Sequence, residues 1–306
     1  MKISIIGAGN VGGTTALRLA QTVSADIFLI DIASGLSLGK AYDLEDARKL
    51  VGTHYLISGS EHLQDMLDSD IVIVTAGLAR KPGMTREDLL NKNAGILKEI
   101  CLAIKEVASN AIVVIVTNPL DLMTRVALQV TGFSAGKVFG MGVSLDAARF
   151  ANLISKETLI PVIEIEPLVI GSHGEGMMPL RAFTKVRGKS LDAVLDPAKI
   201  KELTTKTVGR GLEIVTLLGS GSAYFAPSAA IVEIVKIIVS QQPRVIGLSA
   251  YLNGEYGAKD VCIGVPCRLG KDGIEQIVEL KLNTQESQDF LNSCARLKTQ
   301  FSGISF

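Results

Sequence analysis

Neither sign of charge is in excess in this sequence. Lys and Arg number 31 and Asp and Glu number 31 over 306 residues, a formal net charge of +0. That argues against a nucleic acid or an anionic membrane surface as partner. Long hydrophobic runs are also lacking. The longest candidate, residues 229–239, is broken by Glu233 and Lys236 and falls well short of the roughly 20 residues that span a bilayer. The N-terminal residues enter a strand directly, without a basic region, apolar block and small-residue cleavage site, so a cytoplasmic rather than secreted protein is expected. Cysteine is scarce and scattered: Cys101, Cys262, Cys267 and Cys294 have no histidine near the pair in VCIGVPC, and buried free thiols in a reducing compartment are expected. His54 and His62 lack acidic or cysteine partners at ligand spacing, so no metal site is expected. Internal repeats and low-complexity linkers are absent. What remains is an apolar chain, 47% hydrophobic, long enough for two domains with ample core.

The chain is organised around its first dozen residues, MKISIIGAGNVG. An apolar run, residues 3–6, ends at Gly7, and Gly9 and Gly12 complete G-x-G-x-x-G before helix-compatible sequence. Strand, turn and helix in that order are the setting of a dinucleotide site. Gly7 permits the tight turn, Gly9 the close approach of backbone to a pyrophosphate, and Gly12 the close packing of helix on strand. A helix start near Asn10 aims free N–H groups and the positive dipole end at the phosphates. The next apolar run, residues 26–32, carries Asp31 at its end. Such folds place there the acid that accepts hydrogen bonds from the adenosine ribose. A carboxylate repels a 2′-phosphate, and Ile32, Ala33 and Ser34 offer no arginine to hold one, so NAD is expected over NADP. The competing reading is a glycine-rich turn in an unrelated βαβ unit.

Further along, GLSLGKAYDLEDARKLVG reads as a moderately amphipathic helix, 54–57 as a short strand and 61–67 as a short helix. Residues 71–74, IVIV, are apolar throughout, as a strand buried on both faces of a parallel sheet is. The strand runs into Thr75, Ala76 and Gly77, small residues at a carboxyl strand end where open α/β sheets bind ligands. LARKPGMTRED follows, with Arg80, Lys81 and Arg86 around Pro82-Gly83. It reads either as a solvated turn or as a lid carrying cations over a bound anion. A long helix over 89–109 has Asn93 on its first turns. The buried strand 112–116 ends in Val116-Thr117-Asn118-Pro119, with Pro119 able to open a helix and Asn118 pointing into the crevice. Strands alternating with helices up to Gly142 mean a doubly wound parallel sheet. From Val143 the pattern becomes α+β with antiparallel strands. The expected division is therefore 1–142 for the dinucleotide and 143–306 for a second, catalytic domain.

Some polar residues are oddly placed for structure alone: Arg80, Arg86, Asn118, Asp146, Arg149 and His173. A histidine flanked by Ser172 and Gly174 at a strand end is sterically open, and its pKa suits proton exchange near neutrality. Asp146 is the candidate to fix its tautomer. Three arginines beside one histidine suggest a small dianionic substrate, with Arg149 clamping a carboxylate through parallel hydrogen bonds. Taken singly, each arginine is equally a surface charge.

Over essentially its whole length the sequence resembles the lactate-dehydrogenase-like malate dehydrogenases. GAGNVGGTTALRLA resembles their first turn, TAGLARKPGMTREDLL their substrate lid, VTNPLDLMT their cofactor and substrate strand, LDAARF their Asp/Arg helix, and GSHGEGMMPL their catalytic loop. GSAYFAP is similar to a segment lining their substrate pocket. The resemblance implies a Rossmann sheet followed by an α+β substrate domain, and reversible hydride transfer between malate and NAD, the oxaloacetate-forming step of the tricarboxylic acid cycle. It implies that His173 exchanges the hydroxyl proton, Asp146 orients His173, Arg86 polarises the carbonyl, Arg149 binds the carboxylate beside the reacting carbon and Arg80 the distal one. Asn118 then bonds substrate or cofactor, while Gly7, Ala8, Gly9, Asn10, Val11, Gly12, Asp31, Asn93, Val116 and Thr117 hold NAD. It also implies a homodimer or homotetramer, for which the helices over 40–50 and 228–240 carry spare apolar surface. Ser172 and Glu175 depart from the family's usual GGHGD, and GMGVSLDAARF from its GMAGVLDSARF. The competing functions are a lactate or other 2-hydroxy acid dehydrogenase and a non-catalytic NAD-binding regulator.

Overall fold

Unbroken apolar tetrads form the centre of the sheet. The computed structural model describes residues 1–78, 86–219 and 221–305, and of Arg86 the backbone alone. Its first half runs β1 (Lys2–Ile6), α1 (Asn10–Thr22), β2 (Asp26–Ile30), α2 (Leu36–Val51), β3 (Ile57–Ser60), β4 (Ile71–Val74), α3 (Arg86–Val107), β5 (Ile112–Ile115), α4 (Leu120–Thr131) and β6 (Val138–Gly140). Every residue of β4 and β5 is buried, which is why their sequence is continuous rather than alternating. The six strands pair in parallel in the order β3-β2-β1-β4-β5-β6. The order reverses between β1 and β4, and a crevice opens at their carboxyl ends.

The second half begins with α5 (Val143–Thr158) and the short strands β7 (Ile165–Glu166), β8 (Val169–Gly171), β9 (Met177–Pro179), β10 (Lys185–Val186) and β11 (Lys189–Ser190). It continues through α6 (Pro197–Leu218), α7 (Phe225–Ser240), β12 (Arg244–Asn253), β13 (Lys259–Gly270), β14 (Gly273–Ile277) and α8 (Thr284–Ser302). The β12–β13 hairpin joins the parallel set directly. Ser249 of β12 pairs antiparallel with Gly140 of β6, and Gly264 of β13 with Gly171 of β8. One eleven-stranded sheet therefore runs through both halves. A second cluster of buried side chains, including Phe150, Ile154, Leu191 and Leu203, packs α5 and α6 together beneath the short strands. α8 starts with a capping box, Asn283 and Glu286 each bonding the other's backbone N–H, which fixes the helix that meets the loop carrying Ser172.

Several local expectations shift. The strand expected over 54–57 is β3, three residues later, because its register is set by β2, Ile27 opposite Ile57 and Ile30 opposite Ser60. Its ISGS sequence hides it. Gly59 is needed because a Cβ there would strike the Ser37 backbone of α2. Pro119 is the extended residue before α4 and not its first turn. β10 is only Lys185–Val186, since Phe183 and Thr184 turn back to bond the Leu180 carbonyl and Arg187-Gly188 form a positive-φ turn. The apolar residues of α7 are largely spent inside the fold. Ile231, Ile234, Val235 and Ile238 are buried, and the helix packs within the fold against α1. All four cysteines are buried and free, with Cys262 and Cys267 on β13. No described helix is long and apolar enough to cross a membrane.

Candidate active site

The glycine turn is locked by contact. Gly7 has φ +101°, and a Cβ on it would lie 2.7 Å from both Ala76 N and Thr75 Oγ1. A Cβ on Gly12 would collide with the Gly7 carbonyl. Gly9, in contrast, faces open space. No side chain caps α1, so its first N–H groups are left for an anion in the crevice. Asp31, just past β2, accepts from Ala8 N at 2.6 Å through Oδ2 and from Ala33 N at 2.9 Å through Oδ1. Two carboxylate oxygens have four lone-pair sites, so acceptor capacity remains for ribose hydroxyls. Uncapped helix, open glycine and strand-end acid together fit a dinucleotide.

The neighbouring strand ends are tied to this turn by side chains. Thr75 Oγ1 donates to the Gly7 carbonyl at 2.9 Å, and Thr117 Oγ1 to the Ala76 carbonyl at 2.6 Å. Asn93, buried on α3, accepts from Leu78 N at 2.8 Å and donates to the carbonyls of Leu78 and Asn118 at 3.3 and 2.8 Å. Its amide is thus committed to backbone, and its influence on a cofactor runs through the strand tips it holds. Lys40 escaped the sequence reading. From α2 its Nζ donates to the Ala8 and Gly9 carbonyls at 2.7 and 3.1 Å, and Gly13 leaves it room. Nothing in its spacing marks it, because the contact depends on how α2 lies over α1.

The second cluster lies in the other half. Asp146 sits in the first turn of α5, and its side chain is fully buried. Ionised, it accepts only, so Nδ1–H of His173 donates to its Oδ2, at 2.8 Å. That leaves Nε2 of His173 as the free base, on a side chain 18% exposed. Arg149 NH1 meets Asp146 Oδ1 at 3.3 Å. Arg149 Nε is buried with no partner among the described residues, and Gly211 of α6 leaves the guanidinium space. A buried guanidinium N–H without an acceptor is suited to a carboxylate. Burial alone depresses the His173 pKa, but the Asp146 charge and hydrogen bond and the Asp121 charge outweigh it, and Arg149 opposes them weakly; the net shift is upward.

Asp121 is the other residue the sequence did not disclose. In VTNPLDLMT it reads as an acid in a helix's first turn, a common capping position. Here it is buried, accepting from His173 N at 2.8 Å and from Ser249 Oγ of β12 at 2.6 Å. Burial, with a smaller push from the Asp146 charge, raises its pKa to about 6 against the Ser249 and His173 interactions that hold it down.

A cavity of about 680 Å³ opens beside His173, and its walls include Asn118, Asp121, Ser172, Glu175 and Arg296. A Cβ on Gly142 would press on His173 and Leu120, so the histidine packs directly against the end of β6. Arg80, with the rest of residues 79–85, lies outside the described residues, as does the Arg86 side chain. Two departures from the family pattern have clear settings. Ser172 fills the space a Gly176 side chain would need and accepts from Ser293 Oγ of α8 at 3.2 Å. Val143 fills the space left by Gly247 and Gly264 on the β12–β13 hairpin.

Residues 1–140 match the family model for the lactate/malate dehydrogenase NAD binding domain, and residues 143–304 that for the lactate/malate dehydrogenase alpha/beta C-terminal domain. A curated malate dehydrogenase of Methanosarcina acetivorans is 46% identical over 303 residues, covering 99% of each chain. One of Chlorobium chlorochromatii is 43% identical over 310 residues, covering 99% of this chain and 100% of its own. The apo malate dehydrogenase structure from Picrophilus torridus superposes with a TM-score of 0.95 at 38% identity, over 98% of this chain and 96% of that one.

Proposed function

The chain belongs to the lactate/malate dehydrogenase family, and on that premise we propose how its residues share the work of NAD-dependent malate oxidation. The protein is an oxidoreductase with the activity of a malate dehydrogenase. Bound NAD⁺ supplies the acceptor for the hydride that leaves C2 of malate. The α1 N-terminus, Gly7 to Gly12, Asp31, Thr75 to Gly77 and Val116 to Asn118 hold it, with Asn93 bracing two of those segments. His173 Nε2 takes the hydroxyl proton as the carbonyl of oxaloacetate forms, and returns it in the reverse direction. Asp146 keeps the ring oriented and stabilises the imidazolium. Arg149 grips the carboxylate beside C2 through its unpartnered guanidinium N–H. Arg86 meets the charge that develops on the oxygen during reduction, and Arg80 pairs the distal carboxylate. In this reading 1–142 is the cofactor domain and 143–306 the catalytic one.

The observation that carries this assignment is the buried contact of His173 and Arg149 with opposite oxygens of one carboxylate, Asp146. Steady-state rates with oxaloacetate and pyruvate, each with NADH and NADPH, test it. Oxaloacetate with NADH is expected to give the highest kcat/KM; a preference for pyruvate would move the enzyme to the lactate branch.

A homodimer or homotetramer is part of the proposal. α2 exposes Leu38, Tyr42 and Leu50, and α6 exposes Leu212, Val215 and Leu217, more apolar surface than a helix exposes without covering. Sedimentation at micromolar concentration should find no monomer, and a monomer alone would refute it. Free, buried thiols at all four cysteines support a place in a reducing cytoplasm, where the reaction serves the tricarboxylic acid cycle.

A further inference from the structure

We propose that Glu61 makes this chain reject a 2′-phosphorylated dinucleotide, by filling with its own carboxylate the donors that such a phosphate requires. The proposal rests on the reading of the β1–β2 crevice as the NAD site. If Asp31 receives the adenosine ribose, a phosphate on the 2′-oxygen falls on the turn that follows, residues 32–35. That turn is exposed and carries four backbone N–H groups and the Ser34 hydroxyl, three of which are already engaged. Ala33 N–H is already given to Asp31 Oδ1 at 2.9 Å. Ser34 Oγ–H and Gly35 N–H are both given to Glu61 Oε1, at 3.0 and 2.8 Å.

Glu61 stands there by register. It follows Ser60, the last residue of β3, and Ser60 pairs with Ile30 at the end of β2. The edge strand therefore delivers a carboxylate to the same level as Asp31. Those hydrogen bonds hold the Glu61 carboxyl below its ordinary pKa, Gly35 N–H contributing most and the Ser34 hydroxyl next, so the charge persists at neutral pH. No cation offsets it in the turn. Lys40, on the adjoining helix, is spent on the Ala8 and Gly9 carbonyls. The Ser37 hydroxyl is turned to the Ser60 carbonyl. A 2′-phosphate would meet two carboxylates and find the Ala33 and Gly35 N–H groups and the Ser34 hydroxyl already given to them, whereas a ribose hydroxyl needs only Asp31.

Fluorescence titration of the full chain with NADH and with NADPH tests the idea without turnover. In Glu61→Ala, which frees both donors and removes the charge, NADPH should bind on the order of tenfold tighter while NADH stays within about twofold. Glu61→Gln, which removes charge but keeps an acceptor, should give a smaller gain. Adding Ser34→Ala to Glu61→Ala should take back part of it, because the freed hydroxyl is then missing. Unchanged NADPH affinity in Glu61→Ala would overturn the proposal, as would an equal shift for both cofactors, which would make Glu61 a brace for the turn and nothing more. Failure of NADH to bind the unsubstituted chain would remove the cofactor reading itself; NADH binding with no NADPH gain removes this proposal alone.

Discussion

His173→Asn should lower turnover roughly 10²–10⁴-fold in both directions, with NADH affinity unchanged within about twofold. The Asn amide reaches the space of the imidazole Nδ1 side and still offers an N–H to Asp146, so the buried carboxylate keeps a partner and the chain folds. What it cannot do is accept a proton at the position of Nε2. In the proposed reading substrate and cofactor are held by other residues, Arg149 and the strand ends around Gly7, and those are untouched. Steady-state rates with malate and with oxaloacetate, beside a fluorescence titration with NADH, separate the two effects. Turnover that survives the substitution would remove His173 from proton transfer altogether.

Asp146→Asn should lower kcat on a similar scale, about 10²–10⁴-fold, for a different reason. The carboxylate is shared by His173 and Arg149 from opposite oxygens, so one change loosens both the base and the substrate clamp. A neutral amide no longer stabilises the imidazolium. The His173 pKa, which burial depresses and the Asp146 and Asp121 charges lift above its ordinary value, then falls. Malate oxidation needs the neutral ring, so the acid limb of its kcat/KM profile should move to lower pH. Oxaloacetate reduction needs the protonated ring, so its alkaline limb should move to lower pH as well. Stability follows the same sign. A raised folded pKa favours the folded state below the unfolded value, and this stabilisation disappears as pH climbs through the folded value. In Asp146→Asn that pH dependence should shrink. An unshifted profile in the variant would mean that Asp146 holds shape and does not tune the base.

The sequence carried the parts of the fold that depend on local pattern. G-x-G-x-x-G before a helix, Asp31 at a strand end and the tetrads at 71–74 and 112–115 each announce themselves, since parallel buried strands are apolar on both faces. His173 stood out because a titratable ring in a glycine-rich strand end has no structural reason to be there. The parts that escaped depend on partners distant in the chain. ISGS carries no strand signal, yet β2 imposes one. The apolar face of α7 was visible, but not that α1 covers it. Lys40 and Asp121 look like ordinary helix charges until α2 is laid over the glycine turn and β12 beside α4. Asn93, which the family resemblance puts at the cofactor, bonds the backbone of Leu78 and Asn118, 15 and 25 positions away, which no local pattern announces.

The Asp121–Ser249 bond has a consequence for how this lineage can vary. The two residues are 128 positions apart, on either side of the boundary proposed at 142, and the acid that Ser249 bonds is the one that holds the backbone N–H of His173. A substitution that removes the hydroxyl at 249 strands a buried acid beside the proton-transfer residue, and one that removes the acid strands the hydroxyl. Viable descendants must change both together or neither. The halves are therefore not freely exchangeable modules: a chimaera that imports a foreign second half inherits a working histidine only if its donor carries a matching group on the corresponding strand.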